Sequence, residues 1–184
     1  MIIGEKVCLG PFLHGDAPLM FNWLNTMILA HQNGVYRPND QMAFDRWFSA
    51  LGDDRSKVMF GIRAREDLRL MGYIQLTNIH AVCRTAELGI LMGSPDDRNK
   101  GFGQEARRLA LAFCWNDLNL NRLTLYVHGH NPGAIRAYEN VGFLTEGRMR
   151  QGGYVDGGFV DITVMGLLRH DHGRRAAPDD PELR

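Results

Sequence analysis

Apolar positions recur along this chain at two spacings, every second residue or every third to fourth, and the changes between them mark its elements. The segment 7–12 reads as a short strand. Asp16 is placed to cap a helix reaching Leu24, with Pro18 in its first turn. Asn39 or Asp40 caps a second helix to about Leu51, which sets Phe44, Trp47, Phe48 and Leu51 on one face. The spacing then shortens, and 58–64, 70–78 and 85–92 read as three consecutive strands with short polar links. The turn-rich stretch GSPDDRNKGFG leads into a helix over 102–118, where Phe102, Ala106, Leu109, Ala110 and Phe113 follow the helical period. A strand at 122–128 precedes a helix over 132–141 that opens on proline and stops at Gly142. Strands at 143–149 and 159–168 flank a glycine-rich connection, QGGYVDGG, in which Asp156-Gly157 is a hairpin-turn signal. A three-strand meander followed by βαβ predicts a mixed α/β (α+β) domain, its sheet covered by helices on both faces.

Composition narrows the class. A chain of 184 residues predicts one domain, here 1–169, and the proline- and charge-rich 170–184 reads as a disordered tail. Lys+Arg and Asp+Glu both number 21, so the charge carries no footprint of a nucleic-acid partner. No apolar run approaches the ~20 residues of a membrane span. Glu5 and Lys6 interrupt the stretch a secretory leader would need. Cys8, Cys83 and Cys114 are an odd number without ligand spacing, read as reduced thiols. The expectation is a cytoplasmic protein with neither nucleic acid nor membrane as partner.

Candidate chemistry concentrates in Arg98-Asn99-Lys100-Gly101-Phe102-Gly103, between a strand and an amphipathic helix. A helix N-terminus offers unpaired N–H groups and partial positive charge, a natural phosphate seat. The two glycines let backbone approach phosphate oxygens, and Arg98 and Lys100 add cations. An ordinary solvated loop is the plain alternative. The segment from Gly101 to Ala106 also spells a dinucleotide fingerprint, but DDRNK replaces the apolar strand before it. The following strand ends His128-Gly129-His130, without the required acid. A Walker loop is absent from the sequence.

The loop has the form [RQ]-x-x-G-x-[GA]. Around it stand Ala86-Glu87-Leu88-Gly89-Ile90, LNLNRLTLYV (118–127), Asn131-x-x-Ala134-x-x-x-Tyr138-x-x-x-Gly142-Phe143 and Glu146-Gly147. In this order and spacing, across roughly 5–169, the chain resembles the GNAT superfamily of N-acetyltransferases. The nearest branch contains ribosomal-protein N-terminal and spermidine acetyltransferases. The resemblance implies a mostly antiparallel sheet with one splayed parallel pair, and acetyl-CoA as co-substrate. The diphosphate would lie on the amides of Asn99, Lys100, Gly101, Phe102, Gly103 and Gln104, beside Arg98. The pantetheine arm would run along Ile90, Leu91 and Met92, where that strand splays from 122–128. Asn131 would reach the arm or acetyl group, and Tyr138 would flank the thiol. Met92-Gly93-Ser94-Pro95 is about a residue longer than the common form of this link.

Aminolysis of a thioester needs a neutral amine, a stabilised oxyanion and a proton for the leaving sulfur. An N–H near Leu91 or Met92 suits the oxyanion. Tyr138 suits the acid, against the alternative of core packing, and Glu87 the base, against that of an ordinary strand carboxylate. His128 and His130 share a strand face but lack a third ligand, so no metal is expected there; His170 and His172 fall in the expected tail. Trp23, Trp47 and Phe48 read as core or as acceptor-pocket lining. Tyr154 and Asp156 lie where the family's acceptor site is walled, though Asp156 serves equally as a turn-former. The acceptor is a protein N-terminus, an amino sugar or a polyamine. The segment 34–48 lacks the clustered glutamates of spermidine-acetylating relatives, which lowers the polyamine reading. A CoA-binding module without activity and a nucleotide-binding protein unrelated to CoA remain as alternatives. The resemblance also allows a homodimer.

Overall fold

A computed structural model describes residues 1–29 and 36–172. In chain order the elements are β1 (Ile2–Ile3), β2 (Val7–Gly10), α1 (Ala17–Leu24), α2 (Gln41–Ser49), β3 (Val58–Ala64), β4 (Leu70–His80) and β5 (Thr85–Met92). There follow α3 (Phe102–Asn116), β6 (Arg122–His128), α4 (Pro132–Glu139), β7 (Leu144–Val155) and β8 (Gly158–Leu168). One eight-stranded sheet runs β1-β2-β3-β4-β5-β6-β8-β7. Every neighbouring pair is antiparallel except β5 and β6, which are parallel and joined through α3. Mixed pairing with helices on both faces agrees with the expected class.

Strand alternation divides the interior in two. Ile74 and Leu76 of β4 stand opposite Ile90 and Leu88 of β5 and join Ala106, Ala110 and Leu111 of α3 and Tyr138 of α4 in the larger core. Tyr73 and Leu91, also paired, enter the other core with Met20 and Trp23 of α1 and Phe44 of α2. A bulge opposite Ile62 and Arg63 shifts the register around Met71, so Leu70 sides with Tyr73.

Several boundaries differ from the sequence reading, each for a local reason. The first strand stops at Gly10 rather than 12, and the two-residue β1 pairs with it. Asp16 makes no side-chain cap. Its carboxylate instead accepts the Leu13 N–H at 2.6 Å and forms a buried ion pair with Arg63, whose guanidinium also donates to the carbonyls of Pro11 and Leu68. Removing one member of such a pair costs about 3–5 kcal/mol. Asp40, not Asn39, caps α2, accepting the Ala43 N–H at 2.9 Å. Trp47 is 40% exposed, so the expected apolar face of α2 is only partly covered. The connection expected as a glycine-rich loop is strand: β7 runs on through Val155 with two bulges. The turn itself falls at Asp156 and Gly157, both at positive φ. A 3₁₀ turn over Arg169–Asp171 enters the stretch expected as a tail. His172 lies 6.0 Å from the Trp115 ring, and burial lowers its imidazole pKa. The remainder of that tail, 173–184, lies outside the described residues.

Candidate active site

Between β5 and β6 the sheet comes apart. β5 stays paired with β4 as far as Met92 opposite Gly72, and β6 stays paired with β8 as far as His128 opposite Ile162. The two parallel strands pair only at Thr85 with Arg122, Ala86 with Leu123 and Glu87 with Thr124. Past Glu87 they diverge, so residues 88–92 turn one backbone edge into a wedge with no strand opposite. An edge of N–H and C=O groups needs partners, and an extended amide-bearing ligand supplies them. Ile90, Leu91 and Met92, expected along a pantetheine arm, lie on this edge.

One mouth of the wedge is the glycine loop. The Gly93 N–H continues the ladder to the Met71 carbonyl at 2.9 Å. A Cβ on Gly93 would come within 2.0 Å of the Trp23 indole, which packs flush on this link. Asp97 is buried and receives both guanidinium Nη groups of Arg69 at 2.9 Å, a fork that ties the loop to the β3–β4 hairpin. That hydrogen bonding holds the Asp97 carboxyl below the usual carboxylate range. Arg98 donates to the Met92 carbonyl at 3.3 Å, so part of its donor set braces the strand end. Gly101 sits at φ +86° in the N-cap position of α3, and no side chain caps the helix there. The first N–H groups of α3, from Phe102, Gly103 and Gln104, therefore have no capping side chain among the described residues. Asn99 and Lys100 complete the curve, Asn99 at φ 59°. Lys6, which the sequence did not mark as a site residue, donates from Nζ to the Lys100 carbonyl at 3.3 Å. Glu105 holds the β1–β2 turn in place by accepting the Lys6 N–H at 2.9 Å and also the Glu5 N–H.

Two residues expected near the thiol lie on α4. Asn131 caps that helix, its Oδ1 accepting the Ala134 N–H at 3.0 Å. Tyr138 is 7% exposed and meets Phe143 edge to face at 5.6 Å, in the core that also holds Leu88. Burial pushes its phenol pKa up, and the nearby Arg107 guanidinium pulls it down. Tyr138 thus packs in the core and also carries a proton donor on the α3–α4 side of the wedge.

Glu87 belongs to the opposite side. Ala86 and Leu88 face the larger core, so the residue between them faces away. Glu87 lines a cleft of about 560 Å³ with Gln75 of β4, Tyr126 and His128 of β6, and Tyr154 and Phe159 of the β7–β8 hairpin. Tyr154 and Phe159 meet edge to face at 5.2 Å. Asp156 does not line this cleft and forms the hairpin turn. Trp23, Trp47 and Phe48 do not line it either: Trp23 covers Gly93, Phe48 packs on Phe12 and Phe44, and Trp47 is largely at the surface. The rings of His128 and His130 stack at 5.5 Å. No three His, Cys, Asp or Glu among the described residues cluster to hold a metal. No helix among them is long and apolar enough to cross a membrane.

The residues fit the coenzyme: uncapped amides at the loop, an open strand edge along the arm, and a buried phenol beyond it. The Acetyltransferase (GNAT) domain family model matches residues 6–144. The chain belongs to the GNAT acetyltransferase family. It is 31% identical over 107 residues to the spermidine N(1)-acetyltransferase of Vibrio cholerae serotype O1, covering 58% of this chain and 61% of that protein. It is 32% identical over 119 residues to the Escherichia coli K12 spermidine N(1)-acetyltransferase, covering 65% and 62%. The chain thus spans about three fifths of the length of these relatives. In structure it superposes with a TM-score of 0.83 and 24% identity on the Vibrio cholerae spermidine N-acetyltransferase solved with CoA and spermine, covering 91% of this chain and 98% of that one. This establishes a shared GNAT fold.

Sequence reasoning missed Lys6, Arg69, Asp97, Arg107, Gln75, Tyr126 and Phe159. Asp97 stood in view as an acid just before the loop, but its partner lies 28 residues upstream. Gln75, Tyr126 and Phe159 carry no local signal, because strand pairing alone brings them to the cleft.

Proposed function

We propose that this protein transfers the acetyl group of acetyl-CoA to a primary amine, by direct attack in a ternary complex. The parting of β5 and β6 carries the reading, because it places a glycine loop at one end of an open strand edge and Glu87 at its apex. The diphosphate belongs on the amides of Asn99, Lys100, Gly101, Phe102, Gly103 and Gln104, with Arg98 beside them. The pantetheine arm belongs on Ile90, Leu91 and Met92, and the amide nitrogen of Asn131 is left to reach it. Bound acetyl-CoA supplies an activated thioester.

Glu87 takes a proton from the ammonium that enters the cleft, directly or through water, leaving a nucleophilic amine. The N–H of Leu91 or Met92 polarises the carbonyl as negative charge develops on its oxygen. Tyr138 gives its phenolic proton to the sulfur as the C–N bond forms and the C–S bond breaks. The nitrogen sheds its second proton to water as it becomes the amide, water returns a proton to the phenolate, and the proton held by Glu87 leaves to solvent. Base and acid thus work from opposite faces of one gap, which keeps their protons apart.

The similarity to two spermidine N(1)-acetyltransferases makes a polyamine the first acceptor to try, although the 34–48 segment lacks clustered glutamates. Cys8, Cys83 and Cys114 are free thiols, in keeping with a cytoplasmic home. A thiol-release assay with polyamines, peptides, amino sugars and aminoglycosides tests the function. Turnover with at least one amine, with its acetylated product identified by mass, is expected. Coenzyme binding without turnover on any amine would reduce the protein to a CoA-binding module.

A further inference from the structure

Arg107 is a half-buried cation whose Nε finds no acceptor among the described residues. It lies one helical turn past Gly103 on α3, and helix side chains lean toward the N-terminus, so its guanidinium reaches back over the first turn. A Cβ added at Gly103 would stand 3.7 Å from Arg107 Nη1 and 3.7 Å from Met92 Cγ, so these two side chains flank the second glycine of the loop. On its other side, the guanidinium carbon lies 5.3 Å from the centroid of the Tyr138 ring. This one side chain therefore spans from the diphosphate loop to the phenol.

Its Nε is buried with no hydrogen-bond partner among the described residues. Burial lowers the guanidinium pKa, and among the described residues Tyr138 acts in the opposite direction. A buried donor without an acceptor is costly, and proteins keep one where something else completes it. The ring face of Tyr138 attracts the cation but accepts no conventional hydrogen bond.

We propose that Arg107 is a coenzyme-binding residue whose guanidinium closes on an oxygen of the coenzyme between Gly103 and Tyr138, either on the diphosphate or on the adjoining amide carbonyl. This rests on the acetyl-CoA reading above. Held at both ends, Arg107 ties the seated coenzyme to the phenol that serves its thiol.

Calorimetry with CoA, on the wild-type protein and on Arg107→Met, tests the assignment. The variant is expected to melt within a few degrees of wild type and to bind CoA about tenfold more weakly or worse, the scale of a lost charged hydrogen bond. Pantetheine separates the two oxygens. A loss shared with pantetheine places the contact on the amide carbonyl, and a loss confined to CoA places it on the diphosphate. Should the variant fold poorly, a crystal structure of the wild-type protein with CoA decides the matter. An Arg107 nitrogen within about 3.5 Å of a coenzyme oxygen is expected. CoA affinity within twofold of wild type in Arg107→Met, or a complex with Arg107 beyond hydrogen-bond reach of every coenzyme oxygen, overturns the proposal. A wild-type protein that binds no CoA at all defeats the acetyl-CoA reading itself.

Discussion

The two sides of the wedge are built on different principles. The coenzyme side consists largely of backbone: the amides at the start of α3, the free edge of β5, and glycines where side chains would intrude. Its supports reach in from distant parts of the chain, Lys6, Trp23 and Arg69 among them. The acceptor side consists of side chains, a carboxylate and several aromatic rings contributed by β4, β5, β6 and the β7–β8 hairpin. A backbone seat recognises what every member of a family shares. A cleft of side chains is free to vary, and under the proposed function it sets the choice of amine.

If the two sides do separate work, substitutions should split cleanly between coenzyme affinity and turnover. The largest effect is expected for Glu87→Gln: kcat/KM falls about 10²–10⁴-fold, the usual contribution of a positioned base, while CoA affinity by calorimetry holds within twofold. An undiminished rate removes Glu87 from the chemistry. Tyr138→Phe comes next, with turnover down at least tenfold and CoA affinity nearly unchanged, since the ring still fills the core. A coenzyme affinity that fell as steeply as the rate would mean packing rather than proton donation.

Asp97→Asn should act on the coenzyme side alone, weakening CoA several-fold by loosening the loop while KM for the amine stays level. Its effect on stability carries a sign. The folded Asp97 carboxyl titrates below the ordinary value of about 4. Its contribution is therefore present above pH 4 and disappears as pH falls through the lowered value. The Arg69 side chain is half exposed, so water screens the pair to about 1 kcal/mol or less. The gap in melting temperature between wild type and Asp97→Asn should close on acidification; a gap independent of pH contradicts the ion-pair account. The smallest effect is expected for Tyr154→Ala, a several-fold rise in amine KM with no change toward CoA. Equal losses for both ligands would dissolve the distinction between the two sides.

The same contrast explains what could be read from the chain. Spacing within a single stretch exposed the loop, because a helix start is a local fact, whereas Asn131 and Tyr138 entered through the motif that carries the family resemblance. The strands at 58–64, 85–92 and 122–128 were legible to the residue from alternation. Asp16 misled because a short acid before a helix looks like a cap whatever it does, and only the fold brings Arg63 to it. The β7 extension hid because QGG resembles a loop, and two bulges let glycine-rich backbone remain in the ladder. Tyr126 and Phe159 became site residues only once β6 had paired with β8 and the last hairpin had closed.

Amide hydrogen exchange on the wild-type protein, with and without CoA, tests most directly whether the gap between β5 and β6 is the coenzyme's seat. The account predicts slowed exchange along residues 88–92 and at 99–104 when CoA is added, with the β7–β8 turn around Asp156 and Gly157 unaffected. Exchange along 88–92 that is the same with saturating CoA as without it would contradict the account.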